Sequence, residues 1–211
     1  MSAPPRRLPR RLVQLYAGLV AFALGEALCI RARLGVIPWD VLHQGLARRF
    51  GLSIGLWSVI VAGVVLLAWV PLRERPGVGT VSNAVVIGLV LDRFLAVLPT
   101  ADALWVRWLL MVGGILTVGV ASAAYIGARL GPGPRDGLMT GLVRITGRSV
   151  RVVRTGIEVV VVIAGWALGG NLGLGTLAFA VLIGPIIHPL LPLLTVPGDP
   201  APTVEEGAEG L

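Results

Sequence analysis

The stretch LGVIPWDVLHQGLARR, residues 34–49, recurs as LGPGPRDGLMTGLVR at residues 130–144. The offset is 96 positions (130 minus 34), and the alignment needs no gap. The shared positions include proline, aspartate and arginine, so a chance match of apolar sequence does not explain them. The same offset aligns GVGT at residues 77–80 with GLGT at residues 173–176. The chain is therefore predicted to consist of two copies of one unit.

The composition is typical of a polytopic membrane protein. Of its 211 residues, 55% are hydrophobic and 14% are charged, whereas soluble domains carry about 25% charged residues. The net charge of +7 comes from arginines that lie between apolar segments, which favours the positive-inside rule over nucleic-acid binding. The single cysteine, Cys29, excludes an internal disulfide, and two histidines are too few for a histidine-built zinc site unless carboxylates complete it. We predict no metal site and no cofactor.

Six apolar segments are predicted to cross the membrane. They are residues 12–30, 54–72, 77–98, 105–126, 155–168 and 177–194. A basic start before an apolar run is also typical of a signal peptide. However, the first segment has an equivalent inside the chain at the same offset, so we do not expect a cleaved leader.

A short helix is predicted in each copy between the first and second spans. Residues 38–50 are too few to cross a bilayer core, which needs about 20 residues, and the Arg-rich second copy lies within residues 129–154. Pro38 and Pro134 suit a first helical turn, and Gly51 is expected to end the first short helix. These helices either lie in the membrane interface or re-enter the membrane.

The predicted fold is an all-α membrane protein of six transmembrane helices. It comprises a cytoplasmic tail (1–11), a first three-span repeat (12–98), a second (105–194) and a disordered C-terminal tail (196–211), with a short extra helix in each repeat. Arginine counting over short loops places both termini in the cytoplasm, although segment 31–49 then lies outside with four arginines. Three spans per repeat is an odd number, so the two repeats are expected to be inverted relative to each other.

The repeated acids Asp40 and Asp136 are candidate site-lining residues. One interpretation is that each compensates the positive N-terminal end of its short helix. The other is that two broken-helix ends meet near the membrane midplane from opposite faces and line a binding site. The helix-end interpretation is favoured by the common Pro-x-Asp helix start, and the site interpretation by the repetition of the acids.

Two further acids, Glu26 and Glu158, lie inside predicted spans and have no acidic equivalent in the other copy. An ionisable group within a span indicates function by default, because burying it in the membrane costs at least a few kcal/mol. Glu158 follows Arg154 by four residues, which predicts a helical ion pair. Glu26 lies five residues before Arg31, so it is expected near the membrane edge.

The repeated motif GVGT/GLGT, with Gly79, Thr80, Gly175 and Thr176, is not a phosphate-binding loop, since no Gly-Lys-Ser/Thr follows it. Glycine at these positions is expected to permit close approach between helices. The sequence contains no nucleophile elbow, metal-ligand spacing or catalytic triad, so we predict no catalytic residues and no enzymatic activity.

The run LGVIPWDVLHQGLARRFGLSIGLWSV, followed by PLRERPGVGT, resembles the bacterial YczE-like membrane proteins of the broader YczE/YyaS/YitT group. The resemblance extends from about residue 11 to residue 194. It implies a multi-pass protein of the bacterial cell membrane, and it implies no established reaction, substrate or binding residue.

Two functions are consistent with these patterns. The first is a small transporter or channel-like protein with a site for an unidentified small molecule between the two repeats, favoured by the duplication, the broken helices and the paired Asp40 and Asp136. The second is a non-transporting partner that stabilises or regulates another membrane protein or enzyme assembly. The second is favoured by the lack of a mid-span charge cluster and by the Arg-rich segment 144–154, which also suits anionic lipid headgroups.

Overall fold

The computed structural model describes residues 7–197, and this range folds into eight α-helices. In chain order they are α1 (Leu8–Ala32), α2 (Pro38–Phe50), α3 (Ile54–Leu72), α4 (Val78–Val97), α5 (Leu104–Gly127), α6 (Pro134–Thr146), α7 (Val150–Ala167) and α8 (Leu174–Leu194). Shifting α1–α4 by 96 positions reproduces the bounds of α5–α8 to within one residue. We call α1–α4 the first unit and α5–α8 the second unit.

Five of the described helices are long and apolar enough to cross a membrane, namely α1, α3, α4, α5 and α8. The all-helical membrane class expected from the sequence is confirmed, and these helices imply contact with the lipid bilayer. The sequence predicted six spans, with 155–168 as the fifth. The corresponding helix α7 has 18 residues and carries Arg151, Arg154 and Glu158, so it differs from the other five in polarity.

Local signals set the ends of several helices. Pro38 and Pro134 occupy the first positions of α2 and α6, where their missing N–H groups cost nothing. Gly51 ends α2 with a φ of 76°, which favours glycine. Ser149 caps α7 by accepting a hydrogen bond from the Val152 N–H at 3.4 Å. Because of this cap, α7 begins five residues before the predicted start of the span, at residue 155.

The longest helices, α1 and α5, run antiparallel along each other. At one end the Arg11 guanidinium donates to the Ala128 carbonyl at 3.4 Å, and at the other Arg107 Nε donates to the Ala32 carbonyl at 2.8 Å. The helix backbones approach closely at the centre, where a Cβ on Gly25 would lie 2.9 Å from the Gly114 carbonyl oxygen. Since α1 and α5 are equivalent at the 96-residue offset, the two units point in opposite directions along the bundle.

The helices form two layers. The first contains α1, α4, α5 and α8, whose apolar side chains make the larger core. The second contains α2, α3, α6 and α7 around a smaller core of Trp39, Val65, Trp69 and Val161. Within this second layer each short helix packs against the long helix of the other unit, α2 against α7 and α6 against α3.

The repeated GVGT and GLGT motifs begin α4 and α8 and join the two units. The Gly79 N–H donates to the Leu130 carbonyl at 2.8 Å, and the Gly175 N–H donates to the Leu34 carbonyl at 2.8 Å. The threonine of each motif contacts the same loop of the other unit as the glycine that precedes it. The Thr80 hydroxyl donates to the Pro132 carbonyl at 2.7 Å, and the Thr176 hydroxyl accepts from the Val36 N–H at 3.1 Å. The motifs therefore contact the loops that precede the opposite short helices.

We expect Gly79→Leu and Gly175→Leu each to lower the folded yield in detergent. A Cβ at residue 79 would lie 3.0 Å from the Leu130 carbonyl oxygen, and one at residue 175 would lie 3.1 Å from the Leu34 carbonyl oxygen, so a larger side chain at either position would push the two units apart. Gly113→Leu is the matched control, because a Cβ there meets nothing within 4 Å. Size-exclusion chromatography of the three variants checks this, and yields equal to that of Gly113→Leu would contradict it.

The ends of the described chain differ in part from the predicted tails. Arg11, assigned to the N-terminal tail, lies inside α1 and is buried. Val196, assigned to the C-terminal tail, is also buried, and its N–H donates to the Gly127 carbonyl at 2.9 Å. Residues 1–6 and 198–211, which hold most of both predicted tails, lie outside the described range.

Candidate functional site

A cavity of about 250 Å³ lies between the two layers. It is lined by residues of seven helices, and α3 alone among the eight described helices contributes none. Its charged lining consists of Arg135, Asp136, Arg154 and Glu158. Its apolar lining includes Phe22, Ile87, Ile157, Phe179, Ile183 and Ile187. The cavity thus combines charged groups with an extensive apolar wall.

The N-terminal ends of α2 and α6 meet at this cavity. The Arg135 guanidinium lies over the Trp39 ring, 5.0 Å from its centroid, which is a cation–π contact. These two residues are equivalent at the 96-residue offset, so the contact joins corresponding positions of the two units. The C-terminal ends of the short helices diverge, since Arg48 donates to the Gly169 carbonyl after α7 and Arg144 to the Leu72 carbonyl of α3.

The Glu26 carboxylate forms an ion pair with Arg135, with Oε1 at 3.7 Å from the guanidinium nitrogen. The Glu26 side chain is 0% exposed and that of Arg135 is 31% exposed. Within the described chain neither oxygen of Glu26 has a hydrogen-bond partner. Glu26 lies in α1, which extends to Ala32, and it is buried in the interior of the bundle opposite α6; its expected position near the membrane edge stays a prediction.

The repeated acids have different surroundings. Asp136 Oδ2 accepts from the Gly133 N–H at 3.2 Å, which satisfies the start of α6, and from the Tyr125 hydroxyl at 3.2 Å. Asp40 is 0% exposed and accepts from the His43 ring at 3.0 Å, and its other oxygen has no partner among the described residues. Asp136 therefore both caps its helix and lines the cavity, whereas Asp40 does neither.

The predicted ion pair between Arg154 and Glu158 is confirmed, with Arg154 Nε at 3.1 Å from Glu158 Oε1. Both side chains line the cavity from α7. Three of the four predicted acids, Glu26, Asp136 and Glu158, thus lie beside or within the cavity. Among residues 7–197, no three His, Cys, Asp or Glu side chains are close enough to hold a metal ion.

Arg135, Trp39 and Tyr125 are the cavity residues that sequence reasoning missed. One signal for the first two was present, since the repeated Pro-x-Asp motif carries Trp39 in one copy and Arg135 in the other. A tryptophan and an arginine at equivalent positions form a complementary pair only if the two motifs face each other. The sequence does not show that they face each other, and Tyr125, opposite Cys29 in the alignment, carried no signal at all.

Asp40 and Asp136 are expected to differ in accessibility. With Cys29 replaced by Ser, Asp136→Cys should react with a small water-soluble thiosulfonate reagent, because residue 136 lines the cavity. Asp40→Cys should not react, because residue 40 is fully buried. Mass spectrometry of the labelled protein checks this, and equal labelling of the two cysteines would contradict it.

Two variants of Asp136 test how much this residue stabilises the start of α6. Asp136→Asn should lower stability by about 1 kcal/mol or less, because the Asn carbonyl still accepts from the Gly133 N–H. Asp136→Ala should be more destabilising, since it removes this acceptor. Equal melting temperatures for these two variants would mean that the cap contributes nothing.

Comparison with known proteins places the chain in a family. A family model described as "Family of unknown function (DUF6198)" matches residues 9–191. An uncharacterized protein of Haemophilus influenzae is 39% identical over 174 residues, covering 82% of this chain and 80% of that protein. The uncharacterized membrane protein YczE of Bacillus subtilis is 37% identical over 180 residues, covering 84% and 83%.

A more distant relative is the uncharacterized protein YyaS of Bacillus subtilis, which is 25% identical over 181 residues and covers 84% of this chain and 90% of that protein. These similarities confirm the resemblance to YczE-like membrane proteins. They also support a membrane location. No solved structure matches the chain at a significant level.

Proposed function

The chain belongs to the DUF6198 family of unknown function, and from the geometry of its cavity we propose that it is a small membrane transporter built from an inverted repeat. The observation that carries the proposal is the cavity at the meeting N-termini of α2 and α6. Transporters of the inverted-repeat type place their substrate site where broken helices from opposite faces meet. The proposed role is that of a carrier rather than an enzyme.

The six-span topology is part of this proposal. Gln14 Nε2 near the start of α1 donates to the Leu194 carbonyl at the end of α8, at 2.6 Å. The start of α1 and the end of α8 therefore lie on the same side of the membrane, which requires an even number of membrane crossings between them. Five apolar helices would place them on opposite sides. We infer that α7 crosses as well, since its 18 residues extend about 27 Å and its equivalent α3 is apolar.

The short helices are proposed to re-enter the membrane from opposite faces. Their starts meet at the Trp39–Arg135 contact, and their ends lie at opposite ends of the bundle. In this arrangement the loops before α2 and α6 enter the membrane and the helices return to the side from which the loops came. The irregular backbone of each loop is covered by the opposite unit, as membrane-embedded loops require.

Flux measurements in liposomes test the carrier role. The purified protein is reconstituted with a panel of labelled small anions, cations and zwitterions, and uptake is compared with protein-free vesicles. We expect uptake of at least one class by the wild type. A matched control is Gly113→Leu, which lies outside the cavity lining. Absence of flux for every class, with the protein folded in both membrane orientations, would contradict the proposal.

Both termini are predicted to be cytoplasmic. An alkaline phosphatase reporter fused after Leu194 should be inactive, and one fused at Asn171, between α7 and α8, should be active. The reason is that an even number of crossings separates Leu194 from the start of α1, whereas α8 separates Asn171 from Leu194. An active reporter at Leu194 with an inactive one at Asn171 would reverse the orientation, and equal activities would exclude α8 as a span.

The alternative function is that of a non-transporting partner of another membrane protein or enzyme assembly. The Arg-rich segment that favoured it is partly engaged in an intramolecular ion pair, since Arg144 pairs with Glu74 at 3.1 Å. Arg148 and Arg151 are exposed and remain suited to a partner or to anionic lipid. Co-purification with a specific protein that is lost in Arg148→Ala/Arg151→Ala, together with no flux, would favour this alternative.

A further inference from the structure

The first unit closes the space between its helices α3 and α4. Gly55 of α3 and Gly88 of α4 lie so close that a Cβ on either would overlap the carbonyl oxygen of the other. Asp92 of α4 strengthens the contact, since its Oδ1 accepts from the Gly55 N–H at 2.9 Å. Small residues allow helix backbones to approach in this way within a membrane. This pair of helices therefore seals one side of the bundle.

The second unit lacks this seal between α7 and α8. The residues equivalent to Gly55, Gly88 and Asp92 are Arg151, Gly184 and His188. Arg151 is exposed, and its side chain cannot occupy the space that a glycine leaves at a close helix contact. A Cβ added to Gly184 would meet nothing within 4 Å. Within the described chain α7 and α8 do not pack against each other as α3 and α4 do, so a gap separates them.

The two helices that border this gap also line the cavity. Ile157 of α7 and Phe179 and Ile183 of α8 line the cavity. The outer faces of the same two helices are apolar and exposed; they include Val159, Val160, Ile163, Leu177, Val181 and Leu182. Exposed apolar side chains on membrane helices contact lipid chains. The cavity is therefore adjacent to the hydrocarbon region on this side.

The charged groups of the cavity differ in how many hydrogen bonds they can still form with a ligand. Asp136 accepts two hydrogen bonds and Glu158 is paired with Arg154. The Arg135 guanidinium contacts Glu26 at 3.7 Å and the Trp39 ring, but it donates no hydrogen bond within the described chain. Arginine carries five N–H donors in a geometry that suits a carboxylate. The available donors of the cavity thus favour an anionic group.

We propose that the cavity takes up a single-chain anionic amphiphile, such as a fatty acid, from the bilayer through the gap between α7 and α8. The anionic head would bind Arg135, and the chain would lie along Phe179 and Ile183 in the gap. This substrate class rests on the proposed carrier function and adds its ligand and its route. The difference between Gly55 and its equivalent Arg151 then explains why the bundle is closed between α3 and α4 but has a lateral opening between α7 and α8.

Photolabelling of the full chain in nanodiscs tests the proposal. A diazirine-bearing dodecanoic acid is the probe, and labelled residues are mapped by mass spectrometry. We expect labelling at the α7 and α8 residues that line the cavity. Unlabelled dodecanoate should compete, whereas dodecyltrimethylammonium, with the same chain and a cationic head, should not.

Two pairs of variants localise the head site and the route. Glu26→Gln combined with Arg135→Gln removes both charges of the buried pair, and it should reduce labelling about tenfold, as the loss of one charged hydrogen-bonded contact does. Glu26→Gln alone retains Arg135 and should keep the labelling. Gly184→Trp should fill the gap and reduce labelling about tenfold as well, whereas Gly113→Trp, also in open space, should not.

The outcomes separate this inference from the carrier function. Labelling spread over all exposed helix faces and unaffected by competition or substitution would identify boundary lipid and overturn the inference. Uptake of a water-soluble anion that persists in Gly184→Trp, without fatty-acid labelling, would overturn the lateral route and leave the carrier standing. Specific labelling without any flux would leave the lateral site and overturn the carrier. If Gly184→Trp fails to fold, head-group competition and the charge variants decide the result.

Discussion

Arg135→Gln is expected to destabilise the folded protein more than any other single change in the cavity. The substitution leaves the fully buried Glu26 carboxylate without its countercharge, and neither of its oxygens has a hydrogen bond within the described residues to compensate. Removing one partner of a fully buried ion pair costs about 3–5 kcal/mol, and we expect a smaller cost here because Arg135 is 31% exposed and solvent screens its charge. The melting temperature and folded yield in detergent should fall sharply, and the Trp39 ring should lose its cation–π partner.

The double variant Glu26→Gln/Arg135→Gln distinguishes a lost charge from lost packing. If the cost arises from the unpaired carboxylate, removing the carboxylate as well should restore most of the stability. Transport should remain low in the double variant, because the cavity then lacks the Arg135 guanidinium. A double variant as unstable as Arg135→Gln would show that the arginine stabilises through packing on Trp39, and a stable Arg135→Gln would show that the pair contributes little.

Gly165→Leu is expected to prevent the two units from assembling. Gly165 of α7 faces the backbone of α2, and a Cβ there would overlap the main-chain atoms of Val41 and Leu42. Backbone cannot move aside as a flexible side chain does, so the cost should be about 3 kcal/mol or more, at or above the upper end for overpacking. Gly156→Leu on the same helix is the control, because a Cβ there meets nothing within 4 Å. Folded yield and melting temperature measure both.

In the equivalent contact, between α6 and α3, the glycine lies on the short helix instead of the longer one. Gly137 of α6 faces the ring of Trp69 on α3, whereas Val41 of α2 faces Gly165 on α7. Positions 41 and 137 are equivalent, as are 69 and 165, so the glycine lies on the short helix in one contact and on the longer helix in the other. Gly137→Leu should therefore be partly rescued by Trp69→Ala, which removes the ring. A lack of rescue would mean that the Trp69 hydrogen bond to the Pro134 carbonyl, at 3.0 Å, contributes more than the space.

The most consequential contacts of the cavity join distant parts of the chain. Glu26 and Arg135 are 109 positions apart (135 minus 26), and nothing in the local sequence of either one indicates the other. Sequence reasoning placed Glu26 near the membrane edge from its distance to Arg31, although its environment is set by the helix that packs across from it. Likewise, Asp40 and Asp136 share a motif but have different partners, since Asp40 accepts from His43 of its own helix and Asp136 accepts from Tyr125 of α5.

The sequence by itself determined the membrane class, the 96-residue offset, the start of both short helices and the end of the first one. These features depend on local chemistry: apolar runs, a proline at the first helical turn, and a glycine at a left-handed end. Only the tertiary structure decided that each short helix packs against the other unit, that Arg135 meets Trp39, and that α7 and α8 stay apart. The physical reason is that such contacts depend on how residues far apart in sequence match in size and charge, which periodicity along one helix does not encode.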